Sequence, residues 1–224
     1  QALGVVGTGP LAGDQLLYRV AVQQYGSDGY YDNDFLRRDD TNERDETTVR
    51  ARLRWLASAT DTVDLSVTLA DIDNGYDAFS LDNTRRTLSD QPDTSAASLT
   101  WAASRPALDI ETVVTLATSD TEYSFDEDWS FIGIAPELEY CSFDRYLRDR
   151  DSFSGQLRLL SNEQSRLFEG RSDWTAGVYY LGDREDLDRE YTYLDAPFNS
   201  RYDTDTGAVF WQLDTRLTDH LTLS

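Results

Sequence analysis

The sequence predicts an all-β chain: an antiparallel, up-and-down transmembrane β-barrel. Three observations predict it. Apolar and polar side chains alternate in short runs along almost the whole chain, which is the two-residue period of a strand with different surroundings on its two sides. No stretch between those runs carries a convincing helical period. Short connections alternate with long ones, an asymmetry that spanning barrels have and soluble sandwiches lack.

The clearest run is Thr48-Val49-Arg50-Ala51-Arg52-Leu53-Arg54-Trp55. Val49, Ala51, Leu53 and Trp55 share one face, and Arg50, Arg52 and Arg54 share the other. Three arginines on one face cannot enter a dry core unpaired, because burying bare charge is too costly. The arginines are therefore expected to face a wet lumen and the apolar set to face outward. Strands are expected near 2–11, 16–25, 47–56, 63–72, 96–104, 108–125, 152–160, 174–184, 207–217 and 221–224. Within them Tyr18, Val20 and Val22 oppose Arg19, Ala21 and Gln23. Val63, Leu65, Val67 and Leu69 oppose Asp64, Ser66 and Thr68. Leu99 and Trp101 oppose Ser98 and Thr100, Phe153 and Leu157 oppose Ser154 and Gln156, and Val209 and Trp211 oppose Phe210 and Gln212. Short turns are expected at Ala12-Gly13-Asp14, Ser58–Asp61, Arg105-Pro106 and Thr218–His220. Long connections are expected near 26–46, 73–95, 126–151 and 185–206, with an intermediate one at 161–173.

Bulk composition narrows the function classes. The 224 residues carry 42 acidic against 20 basic side chains, a net charge of −22, so nucleic acid would be repelled. Aromatic residues make up 12% of the chain, too many for a disordered acidic segment. A single cysteine, Cys141, excludes an intrachain disulfide. No apolar run reaches the ~18–20 residues of a spanning helix, which leaves a closed barrel as the route across a membrane. No signal peptide is visible at Gln1 and methionine is absent, so the chain reads as a piece of a longer protein.

Several stretches resemble TonB-dependent outer-membrane receptors. Gly9-Pro10-Leu11 followed by Tyr18-Arg19-Val20-Ala21 is similar to the early barrel hairpin of that family, and Ser27-Asp28-Gly29-Tyr30 to the end of its next strand. Arg38–Glu46 running into Arg50–Trp55 resembles the following loop and strand. Asp71–Asn83 resembles the next loop approach, and Gly170–Tyr180 a later strand entry. The resemblance covers most of the chain. It implies an N-terminal plug, a segment contacting TonB and a barrel of about 22 strands. Only about ten or eleven strands are read here. The chain, residues 1–224, would therefore be the N-terminal half of the barrel, with the plug and the C-terminal strands absent. The resemblance further implies location in the cell outer membrane and embedding in its lipid. It implies a ferric siderophore or a similar scarce iron complex as cargo, import driven through the TonB complex, and no protein-bound cofactor. A monomer is expected.

Motifs of other chemistry fall short. Asp71-Ile72-Asp73-Asn74-Gly75 offers closely spaced carboxylates, but its glycine falls one place early for a calcium loop and no glutamate follows at the twelfth position. Gly4-Val5-Val6-Gly7-Thr8-Gly9 lacks the lysine and helix of a phosphate loop. His220 is the single histidine and sits in a short turn. Cys141 lies in an acidic loop that disfavours a thiolate. No catalytic residue and no metal site is expected, and the chain is not read as an enzyme. Aromatics in or beside the long connections include Tyr30, Tyr31, Tyr76, Phe79, Trp129, Tyr140 and Tyr146. The candidate ligand contacts are Tyr30, Tyr76, Phe79, Arg85, Arg86 and Trp129, because aromatics give contact area at small entropic cost and arginines pair with anionic oxygens. The acidic excess favours a neutral, cationic or weakly anionic iron complex over a highly charged one. Two other functions fit parts of the pattern. A soluble all-β carbohydrate-binding or adhesive module accounts for the aromatics and the acidity but not for the alternating connections. A passive porin requires an inward charged constriction ring.

Overall fold

The computed structural model describes residues 1–33, 37–75, 89–127, 135–137, 140, 142–218 and 220–224. Its regular elements are all strands: β1 (Ala2–Ala12), β2 (Leu16–Ser27), β3 (Tyr31–Asn33), β4 (Arg38–Thr41), β5 (Arg44–Leu56), β6 (Asp61–Gly75), β7 (Ser89–Ser104), β8 (Asp109–Asp126), β9 (Phe143–Leu160), β10 (Ser172–Tyr191), β11 (Phe198–Thr218) and β12 (Leu221–Leu223). Ten of them form one open antiparallel sheet in chain order, β1-β2-β5-β6-β7-β8-β9-β10-β11-β12, with no crossover. The short strands β3 and β4 make a separate hairpin inside the connection from β2 to β5, which the sequence did not reveal.

Register converts the alternation of each strand into two faces of the sheet. One row reads Leu16, Trp55, Val63, Trp101, Thr112, Leu157, Val178 and Val209 across eight strands. The parallel row Tyr18, Leu53, Leu65, Leu99 and Val114 continues it. The opposite face carries Arg52, Ser66, Ser98, Thr115, Ser154, Leu181 and Thr206 at matching positions, polar but for Leu181. A one-residue slip in any strand would exchange its faces, so the pattern pins the register. Val49, Ala51, Leu53 and Trp55 thus share the apolar face, and Arg50, Arg52 and Arg54 the polar one, as expected.

Among the described residues nothing covers the apolar face. Val209 is 85% and Trp211 75% exposed, whereas Ala103 and Phe143 are the apolar side chains that become buried. Along β8 and β10 every exposed residue (Leu116, Thr118 and Asp120; Val178, Tyr180, Arg184 and Asp188) lies on the side of the apolar row, and those facing the other way are half-buried. A water-soluble sheet would fold this apolar area inward, since burial yields roughly 25 cal/mol per Å2. A sheet surrounded by hydrocarbon leaves it outside.

The strand ends differ from the sequence expectation. β9 begins at Phe143, β10 continues to Tyr191 and β11 begins at Phe198, so the connections near 126–151 and 185–206 shrink to 127–142 and 192–197. Cross-strand ion pairs occupy these extensions. Arg145 binds Glu122 at 2.7 Å, Arg150 binds Asp183 at 2.8 Å and Arg201 binds Asp186. Charge that reads as solvated loop in one strand is neutralised by the next. The up-and-down order puts the connections 28–43, 76–88, 127–142 and 192–197 at one end, and 13–15, 57–60, 105–108 and 161–171 at the other. The intermediate 161–171 connection is a compact turn. Asn162 Nδ2 donates to the Arg105 carbonyl at 2.8 Å, and Trp174 Nε1 donates to the Ser165 carbonyl at 2.9 Å.

Candidate functional site

At the end with the long connections β8, β9 and β10 stay paired to their tips, with β7 beside β8 as far as Tyr123 and β11 beside β10 as far as Arg189. The polar-face positions there are Tyr123 and Phe125 on β8, Tyr146 and Arg148 on β9, and Arg189 and Tyr191 on β10. Register brings them together: Tyr123 stands opposite Tyr146, which stands opposite Arg189. The rings of Tyr123 and Phe125 lie 5.6 Å apart, and those of Tyr123 and Tyr146 lie 6.4 Å apart. The Arg189 guanidinium sits 5.1 Å from both the Tyr146 and Tyr191 ring centres, and Arg148 covers Tyr146 at 5.4 Å. Such cation–aromatic contacts are stabilising, most where water is excluded.

Asp144 holds the cluster from below. Its carboxylate is almost fully buried and accepts two bonds from Arg189, at 2.9 and 2.6 Å, and one from the Tyr146 hydroxyl at 3.0 Å. The Asp144 carboxylate holds Arg189 even more firmly in its charged form. Burial, then the bond to Asp144, pushes the Tyr146 hydroxyl above its ordinary pKa. Tyr146 therefore stays a neutral donor, and Arg189 a fixed cation between two rings. Such a surface can stack on a flat ligand and neutralise an anionic group at its edge. It has no nucleophile–base pair, and among the described residues no group of His, Cys, Asp or Glu has metal-binding geometry.

Of the six expected contacts, Tyr30 is described. It is 71% exposed, and its backbone N–H donates to the Thr41 carbonyl at 3.2 Å, at the root of the β3–β4 hairpin. Tyr76, Phe79, Arg85, Arg86 and Trp129 lie outside the described residues, as does Cys141. Tyr146 belongs to a strand and not to a connection. The remainder of the cluster carried one overlooked signal: the pairs Tyr123/Phe125, Tyr146/Arg148 and Arg189/Tyr191 are each spaced by two residues, so each pair faces one way on a strand. A trough of about 690 Å3 walled by Val67, Leu69, Leu116 and Phe153 lies on the apolar side, away from this cluster.

No family model and no curated protein sequence matches the chain. Solved structures do match. The ferric yersiniabactin uptake receptor FyuA from Yersinia pestis is 13% identical, with a TM-score of 0.57 over 97% of this chain and 42% of its own. The outer membrane transporter YddB from Escherichia coli is 12% identical, with a TM-score of 0.66 over 96% of this chain and 31% of its own. FpvA from P. aeruginosa, in complex with an iron-loaded pyoverdine, is 10% identical, with a TM-score of 0.69 over 97% of this chain and 33% of its own. The chain thus spans less than half the length of each. At these identities the likeness is one of fold. The chain shares the strand meander of these outer-membrane receptors and transporters.

Proposed function

We propose that the chain is part of an outer-membrane active-transport receptor that binds a ferric siderophore, or a similarly large and scarce ligand, and imports it with energy from TonB. The carrying observation is the two-faced meander: an uncovered apolar belt on one side, and on the other a polar wall ending in the aromatic–guanidinium cluster. On this reading residues 1–224 are half of the barrel wall. Further strands close it, a plug fills it, and the monomer sits in outer-membrane lipid. Connections at the cluster end face the cell exterior and capture the ligand. Tyr30, Tyr76, Phe79, Arg85, Arg86 and Trp129 contact it from the loops, and Tyr146, Arg148, Arg189 and Tyr191 from the wall. The plug then shifts under TonB, and the ligand descends along the polar face. No resident cofactor takes part, and no reaction is catalysed.

Uptake of radiolabelled ferric siderophores by cells carrying the full gene, in tonB-positive and tonB-deficient backgrounds, tests this reading. Energy-dependent accumulation lost without TonB is the expected result. Accumulation that persists without TonB would favour a passive pore.

A further inference from the structure

All 20 basic residues of this acidic chain are arginines, and four of them are concentrated on one patch of the polar face. Arg50, Arg52 and Arg54 follow at every second position of β5, roughly 7 Å apart along the strand. Arg19 on β2 stands directly opposite Arg52. Like charges in that relation repel, and low-dielectric walls strengthen the repulsion. The carboxylate on this patch is Asp64. It accepts from Arg54 Nε at 2.8 Å and Nη2 at 2.9 Å, and from Arg52 Nε at 3.3 Å. Asp64 thus answers two of the four guanidiniums. Arg19 and Arg50 have no ion-pair partner among the described residues. Their other neighbours across the strands are uncharged: Thr8 beside Arg19, and Ala21 and Thr68 beside Arg50. Elsewhere on this face charge is balanced in pairs, Arg158 with Glu111 and Arg150 with Asp183.

We propose that Arg19, Arg50 and Arg52 form an oxyanion site on the polar wall that takes carboxylate or phosphate oxygens. Guanidinium donors match such oxygens two at a time. A multivalent anion seated between Arg19 and Arg52, within reach of Arg50, turns a repulsive patch into a stabilising one. The site rests on the reading of this face as lumenal. The local excess of cation is compatible with long-range repulsion by the net negative chain, because it acts only on an anion already inside.

The test is thermal melting of the purified full protein in detergent and low-salt chloride buffer, with and without citrate, as wild type and as the Arg19→Gln/Arg50→Gln variant. If free solute anions fill the site, citrate raises the wild-type Tm by several degrees and leaves the variant unmoved. If carboxylates of the protein's own lumen-filling part occupy it, citrate is silent and the variant melts lower than wild type. A variant that melts as high as wild type or higher, with citrate silent, overturns the site, because removing an empty repulsive patch relieves strain. An equal citrate shift in both proteins also overturns it. Should the glutamine variant fail to fold, Arg19→Lys/Arg50→Lys keeps the charge but not the paired donors. It must then melt lower or lose the citrate shift, and behaviour identical to wild type overturns the proposal. Melting is read without transport, so loss of TonB-dependent uptake would sink the transport reading and leave the site standing.

Discussion

At the scale of single residues, the decisive groups are carboxylates that organise arginines. Asp144 is buried, and three donors compensate it. Arg189→Ala removes two of those donors and leaves a buried charge short of partners, a change that destabilises more than loss of an exposed pair. Hydrogen exchange is expected to speed up at 143–147 and 187–191 in this variant, with the far ends of the same strands unchanged. Arg184→Ala breaks only long contacts to half-buried Asp186 and exposed Asp203, at 3.4 and 3.9 Å. It is expected to alter stability by less than about 0.5 kcal/mol in denaturant titrations. At the other end, Asp61 ties two turns together. It accepts from Arg105 at 2.7 and 3.1 Å, from Ser58 at 2.9 Å and from Trp101 Nε1 at 3.2 Å. The Arg105 guanidinium, then the Ser58 and Thr60 hydroxyls, holds this carboxyl well below the usual carboxylate range. A depressed carboxyl stabilises the fold above its unfolded pKa and loses that contribution only as pH falls through the folded value. Protection of the 57–60 turn is therefore expected to stay flat from neutral pH down to about pH 4 and to drop only in stronger acid. Asp61→Asn should lower this protection at every pH and abolish the drop in acid.

Strands show best what sequence could and could not deliver. The alternation in 47–56 and 63–72 is legible because each position repeats one choice between two surroundings, and both strands appear in the predicted places. The extensions of β9, β10 and β11 were not legible. Residues 143–151, 185–191 and 198–206 are dense in charge, which in a lone segment signals solvent. Their neutralisation depends on partners 15 to 45 residues away, such as Asp186 for Arg201 and Asp144 for Arg189. The wall part of the candidate site went unread for the same reason, because Tyr146 and Arg189 meet only through register. Close packing of neighbouring strands also fixes Gly177. A Cβ there would come within 2.4 Å of the Phe210 ring and 2.6 Å of the Leu157 carbonyl oxygen. The carbonyl belongs to backbone and cannot swing aside. Gly177→Ala is expected to cost about 1–3 kcal/mol in urea titration of the refolded protein. Gly207→Ala, which meets nothing within 4 Å, should be nearly silent.

For the whole molecule, one property governs the rest: the sheet has one apolar and one polar face, with little core among the described residues. Leu116 on the apolar face is 57% exposed, and adjacent Thr115 lies on the polar face, its Oγ1 3.2 Å from Ser98 Oγ. Leu116→Arg should destabilise the bilayer-embedded protein by about 2–4 kcal/mol, and Thr115→Arg by far less, as read by denaturant unfolding from liposomes. Faces and not strands thus decide the outcome of a charge. The most direct test of this claim is a spin-label scan of the full protein in lipid bilayers, with single cysteines at Leu65, Ser66, Leu99, Ser98, Leu116, Thr115, Val178 and Tyr179. Labels at Leu65, Leu99, Leu116 and Val178 are predicted to be relaxed strongly by oxygen dissolved in lipid, and labels at Ser66, Ser98, Thr115 and Tyr179 weakly. Equal oxygen accessibility at the two sets, or the reverse order, would contradict the two-faced barrel wall.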